Sequence, residues 1–327
     1  MKVDPALGHE AIETLHTTLE RMRAGTGPII VGPWITEVGY ELLYWIPFVA
    51  WAQQEYRLDP DRLIVVSRGG TRTWYAHLTS RYRDILSVMT PEAFRRGNQA
   101  RIAATAAMKH FWMSDLDREI LHRLTPDLRG DVEILHPSLM YQVFWAHRPW
   151  TPEFKAYLRP RPFRPVTPLD GLPDRYVAVR FYTSAICPNT PDVRRIVSTT
   201  VRGLLKDSPV VLLNTGTQYD DHHEFNCADV HSPDVYRIAP RLTPDTNLDV
   251  QTRAIAGASK FVGTYGGYAY LPPFLGVRAK TVYGDQPAID KLRRHVQTAR
   301  RLFSSDQGYG QLSVRALHAP HQVYAHA

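Results

Sequence analysis

The sequence predicts an α/β architecture of two Rossmann-like domains. Three observations carry this. Short apolar runs alternate with helical patterns through both halves, a single proline-dense stretch interrupts the alternation, and 327 residues suffice for two domains of ordinary size. Strand and helix repeating in this order imply parallel strands joined by crossover helices. The expected boundaries are 1–150 for an N-terminal domain, 151–174 for a Pro-rich linker and 175–327 for a C-terminal domain.

In order, an amphipathic helix (about 5–23) precedes "GPIIVGPW", a buried strand. "GYELLYWIPFVAWAQQEY" reads as a helix that Pro47 should kink. "RLIVVSRGG" is a strand running into a Gly-Gly turn, and "TWYAHLTSRYRDIL" a helix. Residues 91–124 read as mostly helical, and "DVEILHPSLMYQVFW" as strand then helix. After "RPWTPEFKAYLRPRPFRPVTPLDGLP" the rhythm resumes. "RYVAVRFY", "PVVLLNTG", "KFVGTY" and "AKTVYGD" read as strands. "DVRRIVSTTVRGLLK", "NLDVQTRAIAGA", "GYAYLPPFLG" and the basic block "IDKLRRHVQTARRLF" read as helices.

Composition bounds the function. With 44% hydrophobic and 22% charged residues the chain is an ordinary globular one, and a net charge of +7 suits an anionic small ligand or an acidic membrane surface. Neither an aromatic-basic RNA motif nor a recognition helix appears, so nucleic acid is not an expected partner. Cys187 and Cys227 match no zinc or redox spacing and read as buried thiols. The N-terminal stretch lacks the apolar segment of a signal peptide, and no run approaches about 18 apolar residues. The expectation is a cytoplasmic protein, with peripheral contact at the inner membrane face through the basic helix 291–301.

In open parallel sheets ligands bind at the carboxyl ends of strands, so the loops there carry the candidates. Glu37 and Glu41 follow the first strand. Either could be a general base, and a carboxylate in a first helical turn could equally serve the helix dipole. In "FVGTYGGYAY", Thr264, Tyr265, Gly266 and Gly267 join a strand to a helix start, where glycines let amides approach a diphosphate. The spacing is neither the dinucleotide fingerprint nor a Walker A loop. Arg180 ends a strand, as a second phosphate clamp or as a structural arginine.

The loop "NTGTQYDDHHEFN" offers Thr215, Tyr219 and Asp220, and with them Tyr268, for contact to a nucleotide or sugar; as a metal site its adjacent residues are poorly spaced. Trp34, Arg68 and Trp74 could line an acceptor pocket, or serve as turn and core residues.

These motifs resemble the GT-B glycosyltransferases, and most nearly the metal-independent inverting group that includes the ADP-heptose lipopolysaccharide heptosyltransferases. In "GYELLYWIP", Glu41 stands six residues before Pro47, matching that group's catalytic Asp, although Gly39 precedes it by two positions rather than one. In "TYGGYAYLPPFLGVRAKTVYGD", Gly267 matches a loop glycine and Leu275-Gly276 a helix end, while Tyr265 and Tyr270 replace an Asp and a His. "VAVRFY" is similar to the fucosyltransferase strand that ends in a phosphate-binding arginine, which would be Arg180.

The resemblance implies two domains facing across a cleft, a nucleotide-sugar donor, a hydroxyl acceptor and inverting transfer. It implies neither a cofactor nor a metal. Glu41 or Glu37 would take the acceptor proton, with the diphosphate at Arg180 and the Gly266-Gly267 turn. The alternatives are a GT-B-fold sugar-nucleotide epimerase or hydrolase, and a non-catalytic nucleotide- or glycan-binding relative.

Overall fold

The computed structural model describes residues 5–147, 152–216, 223–304 and 307–317. The chain divides into two compact units: 1–161 with 244–246, and 162–243 with 247–327.

The first unit is a four-stranded parallel sheet in the order β3-β2-β1-β4. Its strands are β1 Ile29–Val31, β2 Leu63–Ser67, β3 Tyr82–Asp84 and β4 Glu133–Leu135. β1 and β2 are buried throughout, the near-continuous apolar pattern of strands covered on both faces. Helices Pro5–Ala24, Ile46–Tyr56, Pro91–Thr105, Asp115–Leu124 and Pro137–His147 lie among these strands in sequence. Thr90 caps the third by accepting from the Ala93 amide, and Ser114 with Asp117 forms a capping box on the fourth. Where the chain leaves β1, Gly32 has φ +130 and a Cβ there would stand 2.4 Å from the Val66 carbonyl oxygen. Only glycine fits this close passage.

Pro47 does not break its helix. Residues 38–56 stay helical, with a π-helical turn Glu41–Trp45 in which the Ile46 amide bonds back to the Glu41 carbonyl. The wider turn accommodates a residue that has no N–H and crowds the carbonyl before it. "TWYAHLTSRYRDIL" is not the expected helix. It is a short 3₁₀ turn, Thr71–Tyr75, then β3 and a second 3₁₀ turn.

The second unit is a six-stranded parallel sheet in the order β10-β9-β8-β5-β6-β7. Its strands are β5 Val177–Arg180, β6 Val210–Leu212, β7 Val235–Arg237, β8 Lys260–Thr264, β9 Ala279–Tyr283 and β10 Leu312–Ala316. Val177, Val179, Val210, Leu212 and Val262 meet Val193, Val197 and Val201 of helix Pro191–Leu204 in one core. "GYAYLPPFLG" is a 3₁₀ turn, Gly267–Tyr270, leading into only four helical residues, because Pro272-Pro273 withholds two amide donors. The basic block divides at Leu292 into Gln286–Lys291 and Arg293–Phe303.

The described part of the proline-dense stretch is anchored by two aromatic rings. Phe154 is buried against Tyr44 and Phe144 in the first unit, and Phe163 stacks on Phe274 in the second. Among the described residues no helix is long and apolar enough to cross a membrane.

Candidate active site

In the first unit, Glu41 is fully buried at the start of the π-helical turn. Its Oε1 accepts from Ser67 Oγ at 2.6 Å and from Tyr75 OH at 2.7 Å. Ser67 is the last residue of β2, and Gly69 and Gly70, both at positive φ, turn the chain so that Tyr75 comes back onto the same oxygen. The other oxygen, Oε2, has no hydrogen-bond partner among the described residues, and Arg68 Nη1 stands 4.0 Å from it. Burial drives the carboxyl upward, Arg68, Ser67 and Tyr75 pull it back, and the balance puts its pKa at about 7. Glu41 therefore exchanges its proton near neutrality, where an ordinary carboxyl stays ionised. Its side chain bonds to β2 and the turn after it, so helix capping does not describe it.

Glu37 differs. It is 47% exposed and forms an ion pair with Lys109, whose ammonium also lies 3.7 Å from the centre of the Tyr40 ring. It stands at the N-cap of the helical segment but makes no side-chain capping bond.

The three residues expected at an acceptor do not form an open pocket. Trp34 and Trp74 have no exposed surface, and Trp34 stacks between Trp45 and Tyr141. Flat apolar rings beside the apolar helix 38–56 gain more from the core than from water. Arg68 donates to the Trp34 and Thr36 carbonyls and lies near Glu41, so its fork holds the first unit's loops together.

In the second unit Arg180 and Thr215, two of the expected contact residues, meet at Glu224. Arg180, at the carboxyl end of β5, donates to Gln251 Oε1 at 2.6 Å and to Glu224 Oε1 at 3.0 Å. Its Nε has no hydrogen-bond partner among the described residues, and its guanidinium lies 4.3 Å from the centre of the Tyr268 ring. Glu224 also accepts from the Thr215 amide at 2.8 Å, the Gly216 amide at 3.2 Å and the Thr215 hydroxyl at 3.3 Å. A guanidinium, two backbone amides and a hydroxyl thus surround one carboxylate at the ends of β5 and β6. This donor set also suits a phosphate.

The turn after β8 contributes in part. Gly266 packs where a Cβ would meet Tyr182 OH at 2.2 Å, and the first bond of the 3₁₀ turn runs from Ala269 N–H to the Gly266 carbonyl. The Gly267 and Tyr268 amides thus lie outside the turn's own hydrogen bonding. Thr264 and Tyr265 face inward: the Thr264 hydroxyl bonds the Tyr182 backbone, and the Tyr265 phenol bonds that of Tyr270. Tyr219 and Asp220 lie outside the described residues.

Sequence reasoning missed two features. Glu224 sits in the quoted loop but carries no periodic or motif signal. The second is a buried cluster, His110, Asp117 and His136, each offering one metal-ligand atom within 4.8 Å of the others. Burial raises the Asp117 carboxyl, but the His110 hydrogen bond and the nearby His136 ring outweigh it and hold the group well below the usual carboxylate range. No short spacing marks these residues, since they come from a loop, a helix start and a strand end.

No protein-family model matches the sequence, and no curated protein matches it. Among solved structures, the chain is similar to E. coli ADP-heptose LPS heptosyltransferase II, with a TM-score of 0.42 at 12% identity, covering 80% of this chain and 86% of that one. It is similar to a family 9 glycosyl transferase from Veillonella parvula, with a TM-score of 0.43 at 10% identity, covering 80% and 82%. It is also similar to TibC, an iron-containing dodecameric glycosyltransferase from enterotoxigenic E. coli, with a TM-score of 0.41 at 12% identity, covering 79% of this chain and 58% of that one.

Proposed function

We propose that the chain is a nucleotide-sugar-dependent glycosyltransferase in which Glu41 acts as general base on the acceptor hydroxyl. The observation that carries this is Glu41 itself. It is a buried carboxyl after the first strand, with a pKa of about 7, one oxygen fixed by two neutral donors and the other unbonded. A base poised near the working pH is worth about 10²–10⁴ in rate. Ser67 and Tyr75 orient the carboxylate and stabilise its charged form.

The donor diphosphate is assigned to the second unit, at Arg180, Thr215 and the amides of Gly267 and Tyr268. Glu224 occupies the first two of these groups, so an incoming phosphate takes its place or binds at Arg180 Nε. Backbone amides and a guanidinium stabilise the departing diphosphate without proton transfer. The transfer is direct displacement with inversion.

Exposure favours a second reading, in which Glu37 takes the proton. Glu41 is closed to solvent here, whereas Glu37 is 47% exposed beside Lys109. Comparing Glu41→Gln with Glu37→Gln separates the two.

The first experiment is a thermal-shift panel of UDP, GDP, ADP, CMP and dTDP with their sugars. One base series should raise Tm in proportion to occupancy, and Arg180→Lys should weaken that rise. A flat response to every nucleotide would count against the donor assignment. Release of free nucleotide with no acceptor present would favour hydrolysis or epimerisation.

A further inference from the structure

We propose that His110, Asp117 and His136 bind one divalent transition-metal ion of the zinc or ferrous class. The ion would tie the loop after helix Pro91–Thr105 to the end of β4. His110 lies in that loop, Asp117 in the first turn of helix Asp115–Leu124, and His136 follows β4 directly. Three separate pieces of chain thus bring two imidazoles and a carboxylate to one closed point, with the imidazole centres 4.5 Å apart.

A hydrogen-bonded hub explains only part of the cluster. Asp117 Oδ2 accepts from the Ser114 amide and hydroxyl, both at 2.6 Å, and from His110 Nε2 at 2.9 Å. Asp117 Oδ1, His110 Nδ1 and His136 Nε2 remain without a hydrogen bond among the described residues, and all three are buried. Of the three, His136 Nε2 is the one that faces the other two side chains, 3.7 Å from Asp117 Oδ2. Each costs about 1–3 kcal/mol if left so, and such groups point to an ion or water that satisfies them.

The surroundings are those of a metal ligand set. His136 Nδ1 lies 2.8 Å from Ser138 Oγ. The Ser138 amide also donates to His136 Nδ1 at 3.2 Å, and these two contacts orient the ring with Nε2 on the side of Asp117. Ser114 holds the Asp117 carboxylate in the same way. Two imidazoles and one carboxylate suit zinc or ferrous iron, whereas calcium and magnesium take oxygen sets. In tetrahedral zinc sites, bonds of about 2.0–2.1 Å put neighbouring ligand atoms about 3.3 Å apart. The 4.8 Å span reaches that with modest side-chain movement.

The ion's role would be structural. The cluster is closed to solvent, and Lys109, next to His110, carries the Glu37 ion pair and the Tyr40 contact. Fixing His110 thereby fixes the cation beside the candidate active site.

The test uses the full chain, purified without a metal-affinity tag. Metal content is measured by mass spectrometry, and the coordination shell by X-ray absorption. About one equivalent of zinc or iron is expected, with nitrogen and oxygen neighbours that include imidazole. A chelator should lower Tm, and Zn²⁺ or Fe²⁺ but not Mg²⁺ should restore it. His110→Asn and His136→Asn should each lose the ion. If either fails to fold, the absorption spectrum of the wild-type chain still decides. Metal content far below one equivalent after growth with added zinc and iron, and no Tm response to either ion, would overturn the proposal in favour of a hydrogen-bonded or hydrated hub. Retention of the ion in both variants would also overturn it.

Discussion

Each unit closes one charged side chain into the carboxyl end of its parallel sheet, and the two are neutralised in opposite ways. Arg180 in the second unit meets a carboxylate, Glu224, and shares it with two amides and a hydroxyl. Glu41 in the first meets two neutral hydroxyls on one oxygen, and the Arg68 guanidinium stands 4.0 Å away. The first arrangement sets the guanidinium directly against an opposite charge. The second leaves part of the burial penalty uncompensated and moves the pKa into the working range. A buried carboxyl left half paired is available for proton transfer.

The largest expected effect is that of Glu41→Gln. It keeps the shape and the two hydroxyl contacts but removes the base, so kcat should fall by about 10²–10⁴ with no fall in melting temperature at neutral pH. A small rate loss would move the base elsewhere.

Arg180→Ala should do the reverse for stability. It strands Glu224 with only amide and hydroxyl donors, and its pair is 16% exposed on each side. A loss of about 3 kcal/mol, at the low end for a broken buried pair, should appear in chemical denaturation. An unchanged midpoint would show that Glu224 relaxes to water without cost.

The pH dependence sharpens the contrast. The folded pKa of Glu41, about 7, lies above its ordinary value of 4.5, so the folded state holds the proton more tightly. The contribution to stability is complete below pH 4.5 and is lost as pH rises through about 7. At about 1.4 kcal/mol per unit, the stability of wild type relative to Glu41→Gln should fall by about 3 kcal/mol over that window. A difference that does not vary with pH would mean that Glu41 titrates normally.

Smaller changes should follow from the two donors. Ser67→Ala and Tyr75→Phe each remove a bond to the charged form. Each should move the acid limb of the pH–rate profile upward by about half a unit to one unit, for about 1 kcal/mol apiece. The smallest effect is expected of Glu37→Gln, whose half-exposed ion pair is worth under about 1 kcal/mol. A rate loss there as large as that of Glu41→Gln would favour the exposed carboxylate as base.

Much of this architecture was legible in the sequence, and the misses share a cause. The inner strands β1, β2, β5, β6 and β8 show as apolar runs because most of their residues are covered on both faces. The missed strands β3, β7 and β10 are all sheet edges. Their residues are mostly half-buried or exposed, and "YRD", "VYR" and "LSVRA" carry arginines that blur any alternation. At the site, Glu41 and Arg180 were readable because charged residues at the ends of apolar strands are conspicuous. Glu224 was not, since its meaning depends on a contact with Arg180 that crosses 44 residues. Trp34 and Trp74 misled for the converse reason, because a tryptophan after a strand looks the same in sequence whether it faces a ligand or the core.

Sugar transfer measured against pH for wild type, Glu41→Gln and Glu37→Gln, with the donor that stabilises the chain, tests the central claim most directly. Wild-type rate should rise through about pH 7, Glu41→Gln should be at least about 100-fold slower at every pH, and Glu37→Gln should keep the wild-type profile. A Glu41→Gln enzyme with wild-type rate and profile would contradict it.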